Sequence, residues 1–339
     1  MADYTRRAVL VDYDEDLFTP GGWEGEMLAG AGIAWEVGQH RTPETALAFA
    51  RDADVVMVQS VRPLLTRPVI ERLEKCLCLV RLGIGYDTVD VAAATERGML
   101  VCNVPGYCVE DVADHALALL MAAVRHIPRQ DRWIRGGRWD RTGARPSRRL
   151  KGSTLGLVAF GNIARALTER VSGFGVTLLA YDPYVDVGTT AGCGAEKVEL
   201  DELLQRADLI SVHCPLTDAT RHLLSQREFD LMKDGVFIVN TSRGPVVDEA
   251  ALVAALASGK VWGAGLDVFE QEPLPLDSPL REFDNVIFTP HVSSNSEDSV
   301  GDLYRGGCQI AIDVCNDRWP VGVVNPEVEG RTSHTFRRD

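Results

Sequence analysis

Short runs of β-branched and aliphatic residues alternate with longer stretches of helical periodicity along most of the chain, and this alternation restricts the architecture more than any other feature. Strand-like runs at Ala8–Asp12, Val55–Gln59, Cys78–Arg81 and Met99–Cys102 are separated by helical stretches such as Pro43–Asp52 and Arg67–Glu74. Strands that read as continuous apolar runs, each followed by a helix, belong to a parallel sheet covered on both faces. A strongly periodic helix from Val109 to His126 follows, with Glu110, Asp111 and Asp114 near its start and Arg125 and His126 at its end. That charge order suits the helix dipole. Pro128 is expected to end the helix, and the Arg-, Gly- and Trp-rich segment Arg129–Lys151 reads as a connection.

A second alternating series begins after it. Its strands are Thr154–Phe160, Thr177–Asp182, Leu209–His213, Gly235–Val239, Gly263–Val268 and Val286–Thr289. The helices between them run from Asn162 to about Gly173 and over Leu200–Arg206, Gln226–Met232 and Asp248–Ala257. Six parallel strands in this arrangement match a doubly wound, dinucleotide-binding domain. A closing helix near Ser296–Asn316 is long enough to return to the first domain. The expected fold class is therefore α/β.

Composition narrows the function. The chain has 339 residues and a net charge of −14, which disfavours nucleic acid or anionic lipid as its main partner. Its 45% apolar and 25% charged residues exclude disorder and support a large core. The most apolar segment, Ala116–Val124, is far too short to span a membrane, and the charged N-terminal stretch Met1–Asp16 does not read as a secretory leader. Eight cysteines without a CxxC pair read as reduced, buried thiols in a cytoplasmic protein, so no metal site is expected.

The most informative stretch runs from Leu155 to Arg165, where a strand, a turn and a helix meet. A dinucleotide fingerprint would place glycines at three positions that here hold Ala159, Gly161 and Ala164. Gly161 would let the backbone approach a pyrophosphate seated on the helix N-terminus, with Phe160, Gly161, Asn162 and Ile163 as the contact residues. Ala164 suits close helix–strand packing, whereas Ala159 stands where a tight turn usually excludes a Cβ. Asp182 ends the next strand, where a carboxylate can accept from the adenosine ribose hydroxyls and repel a 2′-phosphate. The loop and the acid together favour NAD. Asp182 could also simply cap the turn at Pro183.

Arg243, Glu272 and His291 each follow a late strand, and the carboxyl ends of parallel strands share one edge. An arginine can clamp a carboxylate and polarise a neighbouring oxygen through its planar fork. A histidine can exchange a proton near neutrality, and a glutamate can orient it and favour its charged form. Singly, each residue fits a structural role. In order behind a nucleotide loop, they fit hydride exchange with a 2-hydroxy or 2-keto acid.

Several motifs then resemble the D-isomer-specific 2-hydroxyacid dehydrogenases from about Val55 to Pro326. They are Arg-Leu-Gly-Ile-Gly-Tyr-Asp (81–87), Asn-Val-Pro-Gly (103–106), the loop at 155–165, His-Cys-Pro-Leu-Thr (213–217), Asn-Thr-Ser-Arg-Gly-Pro-Val-Val-Asp (240–248), Gly-Leu-Asp-Val-Phe-Glu-Gln-Glu-Pro (265–273) and Thr-Pro-His (289–291). The run around Ile84 and Tyr-Asp-Pro-Tyr (181–184) are most similar to the phosphoglycerate dehydrogenase and C-terminal-binding-protein branches.

The resemblance implies two Rossmann-like domains. The first is a discontinuous, flavodoxin-like substrate domain (1–103 and 300–339), and the second is an inserted NAD-binding domain (104–299). It implies Arg243, Glu272 and His291 as the catalytic residues. It also implies that Cys214, Thr220, Thr241 and Ser293 line the cofactor cleft and that Asp267 meets the nicotinamide carboxamide. Backbone amides at Gly83, Ile84 and Gly85 would hold the substrate carboxylate. Arg62 would reach its distal end, where a second anionic group could pair with it. A homodimer acting on a small anionic substrate is implied as well. Two departures stand out: Ala159 in the loop, and Ser294 where the C-terminal-binding proteins carry a Trp three residues beyond the catalytic histidine. Two rivals remain, an NAD(H)-sensing corepressor-like scaffold and a dehydrogenase of a phosphonate or aldehyde hydrate.

Overall fold

The computed structural model describes residues 5–332 and 334–338; Met1–Tyr4 of the charged N-terminal stretch, Ser333 and Asp339 lie outside them. The chain divides into two units, Met1–Cys108 with Asn295–Asp339, and Val109–Ser294.

In the first unit the elements run β1 (Arg6–Leu10), α1 (Trp23–Gly30), β2 (Ile33–Val37), α2 (Pro43–Ala50), β3 (Val55–Val58), α3 (Arg67–Ile70), β4 (Cys78–Arg81), α4 (Val91–Glu96) and β5 (Leu100–Asn103). All pairings are parallel, in the order β2-β1-β3-β4-β5. Strand β2 escapes a reading by hydrophobic runs because it is an edge strand whose burial fades towards Glu36 and Val37. The remaining strands are buried on both faces by strict alternation. Ala8, Leu10, Val55, Met57, Cys78 and Val80 face one core, while Val9, Val56, Val58, Leu79 and Val101 face the other.

The second unit opens with α5 (Val109–Arg125) and α6 (Ile127–Arg135). Pro128 does not end helical structure here. The chain breaks at His126, whose φ is 50°, and Pro128 occupies the first turn of α6, where its fixed φ and missing N–H are tolerated. The stretch expected to be a mere connection therefore holds a helix to Arg135 and a single turn at Arg141–Ala144. Then follow β6 (Thr154–Val158), α7 (Asn162–Val171), β7 (Thr177–Tyr181), α8 (Val187–Gly192), β8 (Ala195–Lys197), α9 (Leu200–Arg206) and β9 (Leu209–Val212). The series closes with α10 (Gln226–Leu231), β10 (Val236–Asn240), α11 (Glu249–Ala257), β11 (Val261–Leu266) and β12 (Val286–Phe288).

These strands form a seven-stranded parallel sheet, not one of six, in the order β12-β11-β10-β9-β6-β7-β8. The unanticipated member is β8, a three-residue edge strand with too little periodicity to read. Strand order reverses at β6, with β7 on one side and β9 on the other, and ligands of doubly wound sheets gather at such a point.

Helix α12 (Glu297–Cys315) then returns to the first unit and packs Leu303, Tyr304, Ile310, Ala311 and Val314 onto its sheet. The joins fall at 108/109 and 294/295 because Val104 belongs to the first unit's core and α12 lies wholly within that unit. No helix among the described residues is long and apolar enough to cross a membrane.

His213, directly after β9, has both ring nitrogens buried without a hydrogen-bond partner among the described residues, and burial lowers its pKa to about 4. The unfolded chain takes up this proton near pH 6.5, well before the folded chain does, so stability must fall as pH drops from there towards 4. Urea unfolding at pH 7 and pH 5 should show a wild-type loss of about 2 kcal/mol from this group. His213→Asn should lose measurably less, and equal losses in the two proteins would refute the assignment.

Candidate active site

The loop after β6 is held by its neighbour strand. Ala159 has φ 70°, a left-handed conformation that a Cβ disfavours, so the alanine sits where a glycine would be easier. Two bonds pin it: the Ala159 N–H donates to the Tyr181 carbonyl at 2.8 Å, and the Phe160 N–H donates to Asp182 Oδ2 at 2.9 Å. Asp182 Oδ1 accepts from the Tyr184 N–H at 2.8 Å, so this carboxylate caps the turn at Pro183 as well as bracing the loop. Phe160, expected as a contact residue, turns its side chain away from the loop surface. Its ring is fully buried in the core and its N–H is already spent on Asp182.

Gly161 tells a different story. A Cβ built there would meet nothing within 4 Å, so the glycine keeps open space above the start of α7. That helix has no side-chain cap, which leaves the first-turn amides of Asn162 and Ile163 as donors for an anion. After β10, Thr241 is buried and its Oγ1 has no partner among the described residues. An uncapped helix start, a cradle without a Cβ and an orphaned hydroxyl fit a bound dinucleotide.

Cys214 is buried, and burial pushes its thiol up to about 12, so it lines its surroundings as a neutral group. The Thr220 hydroxyl ties its own loop together, donating to the Pro215 carbonyl at 2.6 Å and accepting from the Thr217 N–H at 2.7 Å.

The loops after β10, β11 and β12 bring the proposed chemistry together. His291 Nδ1 lies 2.8 Å from Glu272 Oε2, and Glu272 Oε1 accepts from the Phe269 N–H at 3.0 Å. A carboxylate only accepts, so Nδ1 carries the proton and Nε2 is left to act on a ligand. Burial pushes the Glu272 carboxyl up, but His291, the Phe269 amide and the Arg243 charge outweigh it and hold it below the usual carboxylate range. Arg243 is set by its own loop. Asn240 Nδ2 donates to the Arg243 carbonyl at 2.9 Å, while Asn240 Oδ1 accepts from the Ser242 N–H at 3.0 Å.

Asp267 does not lie open towards a nicotinamide as expected. Its side chain is 0% exposed and both oxygens are committed to the turn that follows β12. Ser293 is likewise buried, and its N–H is one of the donors to that carboxylate, at 2.9 Å.

Two features escaped the sequence reading. A Cβ on Gly244 would lie 1.9 Å from the Phe269 carbonyl carbon and 2.5 Å from the Glu270 nitrogen, so the backbones bearing Arg243 and Glu272 touch there. Beside that contact, Glu249 Oε1 accepts from the Glu270 N–H at 2.6 Å and Glu270 Oε1 accepts from the Glu249 N–H at 3.1 Å. A strand-end glycine and an acid at a helix start carry no pattern that distinguishes them from many others.

The expected substrate residues lie in the first unit. Gly83 has φ 153°, where a Cβ would meet Arg81 Nη1 at 2.6 Å. The amides of Gly83, Ile84 and Gly85 donate to no partner among the described residues. Arg62 is not a lone cation: its Nη1 lies 3.2 Å from Oδ2 of Asp12, a fully buried carboxylate. No group of three or more metal-ligating side chains is found among the described residues.

Comparison with known proteins supplies the family. Residues 117–293 match the family described as D-isomer specific 2-hydroxyacid dehydrogenase, NAD binding domain. Over 265 residues the chain is 42% identical to a D-3-phosphoglycerate dehydrogenase of Methanocaldococcus jannaschii, covering 78% of this chain but only 50% of that protein. It thus spans about half the length of that relative. A glyoxylate reductase of Korarchaeum cryptofilum is 40% identical, with 78% of this chain and 82% of that one covered. A solved D-lactate dehydrogenase from Aquifex aeolicus, complexed with NAD and lactic acid, superimposes with a TM-score of 0.82 at 26% identity, covering 91% of this chain and 95% of that one.

The Gly244 contact makes a direct prediction. Gly244→Ala must push the Phe269–Glu270 backbone away and carry Glu272 with it. Turnover should fall by about 10²-fold while NADH affinity, measured by fluorescence titration, stays near wild type. Unchanged turnover would show that the contact does not set the loop.

Proposed function

The chain belongs to the D-isomer-specific 2-hydroxyacid dehydrogenases, and from that premise we propose that it exchanges a hydride between NAD and C2 of a small D-2-hydroxy or 2-keto acid. The observation that carries this reading is the 2.8 Å bond from His291 Nδ1 to Glu272, beside Arg243, on the edge of the sheet that bears the open Gly161 loop.

NAD, when bound, supplies the hydride acceptor or donor. Asn162, Ile163 and Gly161 would hold its pyrophosphate by backbone approach and by the α7 N-terminus. Asp182 keeps lone pairs for the ribose hydroxyls, and its charge favours NAD over a 2′-phosphorylated cofactor. The orphaned Thr241 hydroxyl, Cys214, Thr220 and Ser293 line the same cleft in this reading, and Asp267 shapes it from below. The Gly83, Ile84 and Gly85 amides would take the substrate carboxylate.

Arg243 would clamp the substrate carboxylate through its planar fork and draw negative charge onto the C2 oxygen. His291 delivers or removes the proton on the C2 oxygen through Nε2. Glu272 fixes the ring through Nδ1 and balances the positive charge of the imidazolium. Because its carboxyl is held below the usual range, Glu272 is ionised at neutral pH.

Arg62 would meet a distal anionic group of the substrate. Asp12 holds one arm of its guanidinium, and the Arg62 side chain as a whole stays 46% exposed. Cytoplasmic location and a homodimer complete the reading, following the family resemblance.

NADH absorbance followed across glyoxylate, hydroxypyruvate, pyruvate and phosphonates tests the proposal. Turnover of at least one 2-keto acid is expected; tight NADH binding without turnover of any would support the scaffold reading and overturn this one. His291→Ala should lower turnover by ~10²–10⁴-fold and leave NADH binding largely intact. Arg62→Ala in an Asp12→Asn background, which avoids stranding a buried charge, should raise KM for a dianionic keto acid but not for pyruvate. Equal effects on both substrates would remove the distal-anion role.

A further inference from the structure

The turn that carries His291 is strained. Its φ of 55° is a left-handed conformation that a histidine rarely adopts, so the surroundings must hold it there. One residue provides most of that hold. Asp267 accepts from the Val292 N–H at 3.0 Å, the Ser293 N–H at 2.9 Å and the Thr289 hydroxyl at 2.6 Å, while its own carbonyl accepts from the His291 N–H at 2.8 Å. A carboxylate this deeply buried is costly to keep unless its lone pairs are satisfied, so the turn and the acid sustain each other.

The network continues one step further, onto helix α5. His115 Nε2 lies 3.0 Å from Thr289 Oγ1 and 3.7 Å from Asp267 Oδ1. The direction of the first bond follows from counting protons. A hydroxyl has one, and Thr289 gives it to Asp267, so Thr289 Oγ1 accepts and His115 Nε2 donates.

The helix is close enough for this because β11 carries a glycine beneath it. A Cβ on Gly265 would lie 2.8 Å from Leu119 Cβ. Leu119 is one helical turn after His115, and Gly265 is two residues before Asp267, the first residue beyond β11. The close approach at 119 and 265 therefore sets the imidazole over the carboxylate.

We propose that His115 is a positioning residue for His291, acting through the Thr289 hydroxyl and the Asp267 carboxylate. Among the described residues its imidazole meets Thr289 and Asp267. Its N–H occupies a lone pair of the Thr289 oxygen and so leaves the one O–H proton aimed at Asp267, which keeps the Asp267 oxygens on the Val292 and Ser293 amides. Its effect on rate rests on the dehydrogenase reading above, but its effect on the turn does not.

The test separates the two. Hydrogen exchange of the Val292 and Ser293 amides is measured in the cofactor-free protein for wild type, His115→Phe and His115→Gln. His115→Phe should speed exchange about tenfold, whereas His115→Gln, which keeps a donor near the Nε2 position, should stay within about threefold of wild type. With a turned-over keto acid, kcat of His115→Phe should fall about tenfold while KM and the NADH Kd move less than about threefold, and His115→Gln should restore most of it.

Unchanged exchange in His115→Phe overturns the proposal. So does equal loss in His115→Gln, which would point to packing. Should His115→Phe fail to fold, Thr289→Val, close in volume but without the hydroxyl, must show the same faster exchange, with Thr289→Ser restoring it. A wild type that turns over nothing yet shows this exchange pattern would sink the function proposed above and leave the clamp standing.

Discussion

A parallel sheet sends every strand's carboxyl end to one edge, and in the second unit that constraint assembles the chemistry. The loops after β6, β7, β9, β10, β11 and β12 begin within a residue or two of their strands and carry, in order, Gly161, Asp182, Cys214, Arg243, Glu272 and His291. None of these residues needs a long excursion to reach its neighbours. The sheet core of aliphatic side chains on both faces is what makes the edge rigid enough to hold a 2.8 Å bond between Glu272 and His291.

At that edge the chain repeatedly breaks local rules and compensates for each breach with a neighbouring group. Ala159 and His291 both hold positive φ without being glycine. Ala159 is restrained by Tyr181 and, through Phe160, by Asp182; His291 is restrained by Asp267. Both are cases of a buried carboxylate accepting backbone N–H groups from the strained turn, which is stronger than a neutral hydrogen bond. Where chain segments must approach closely, glycine removes the obstacle, at Gly244 between the loops of Arg243 and Glu272 and at Gly265 under Leu119 of α5. Strain of this kind concentrates where geometry matters more than stability.

The same logic explains what could be read beforehand. Long apolar strands and the α5 periodicity were legible because each carries a regular pattern. Arg243, Glu272 and His291 could be singled out only as a set, since they follow three successive late strands, and of that set Glu272 and His291 meet at 2.8 Å. The hidden features were of another kind. Strand β8 is three residues long and β2 fades into solvent, so neither shows a period. Pro128 carries a stop signal and a start signal at once, and only the break at His126 decides between them. Phe160 and Asp267 lie within the right motifs, but a motif does not say which way a side chain turns. Phe160 turns into the core, and Asp267 turns under the 289–293 loop.

Glu272 and Asp267 show how environment divides labour between two similar acids on the one loop after β11. Glu272 is 30% exposed and spends one oxygen on a backbone amide, leaving the other for the His291 imidazole, which in the proposed reaction gains and loses a proton. Asp267 spends both oxygens on groups that never titrate in this range, two amides and a hydroxyl. Exchanging their settings would fail for a physical reason. A carboxylate fully occupied by backbone donors has no lone pair aimed at the imidazole to answer its change of charge, and one open to solvent cannot hold a strained turn against competing water. The acid that answers charge therefore has to sit near the surface of the site, and the acid that holds shape has to sit beneath it.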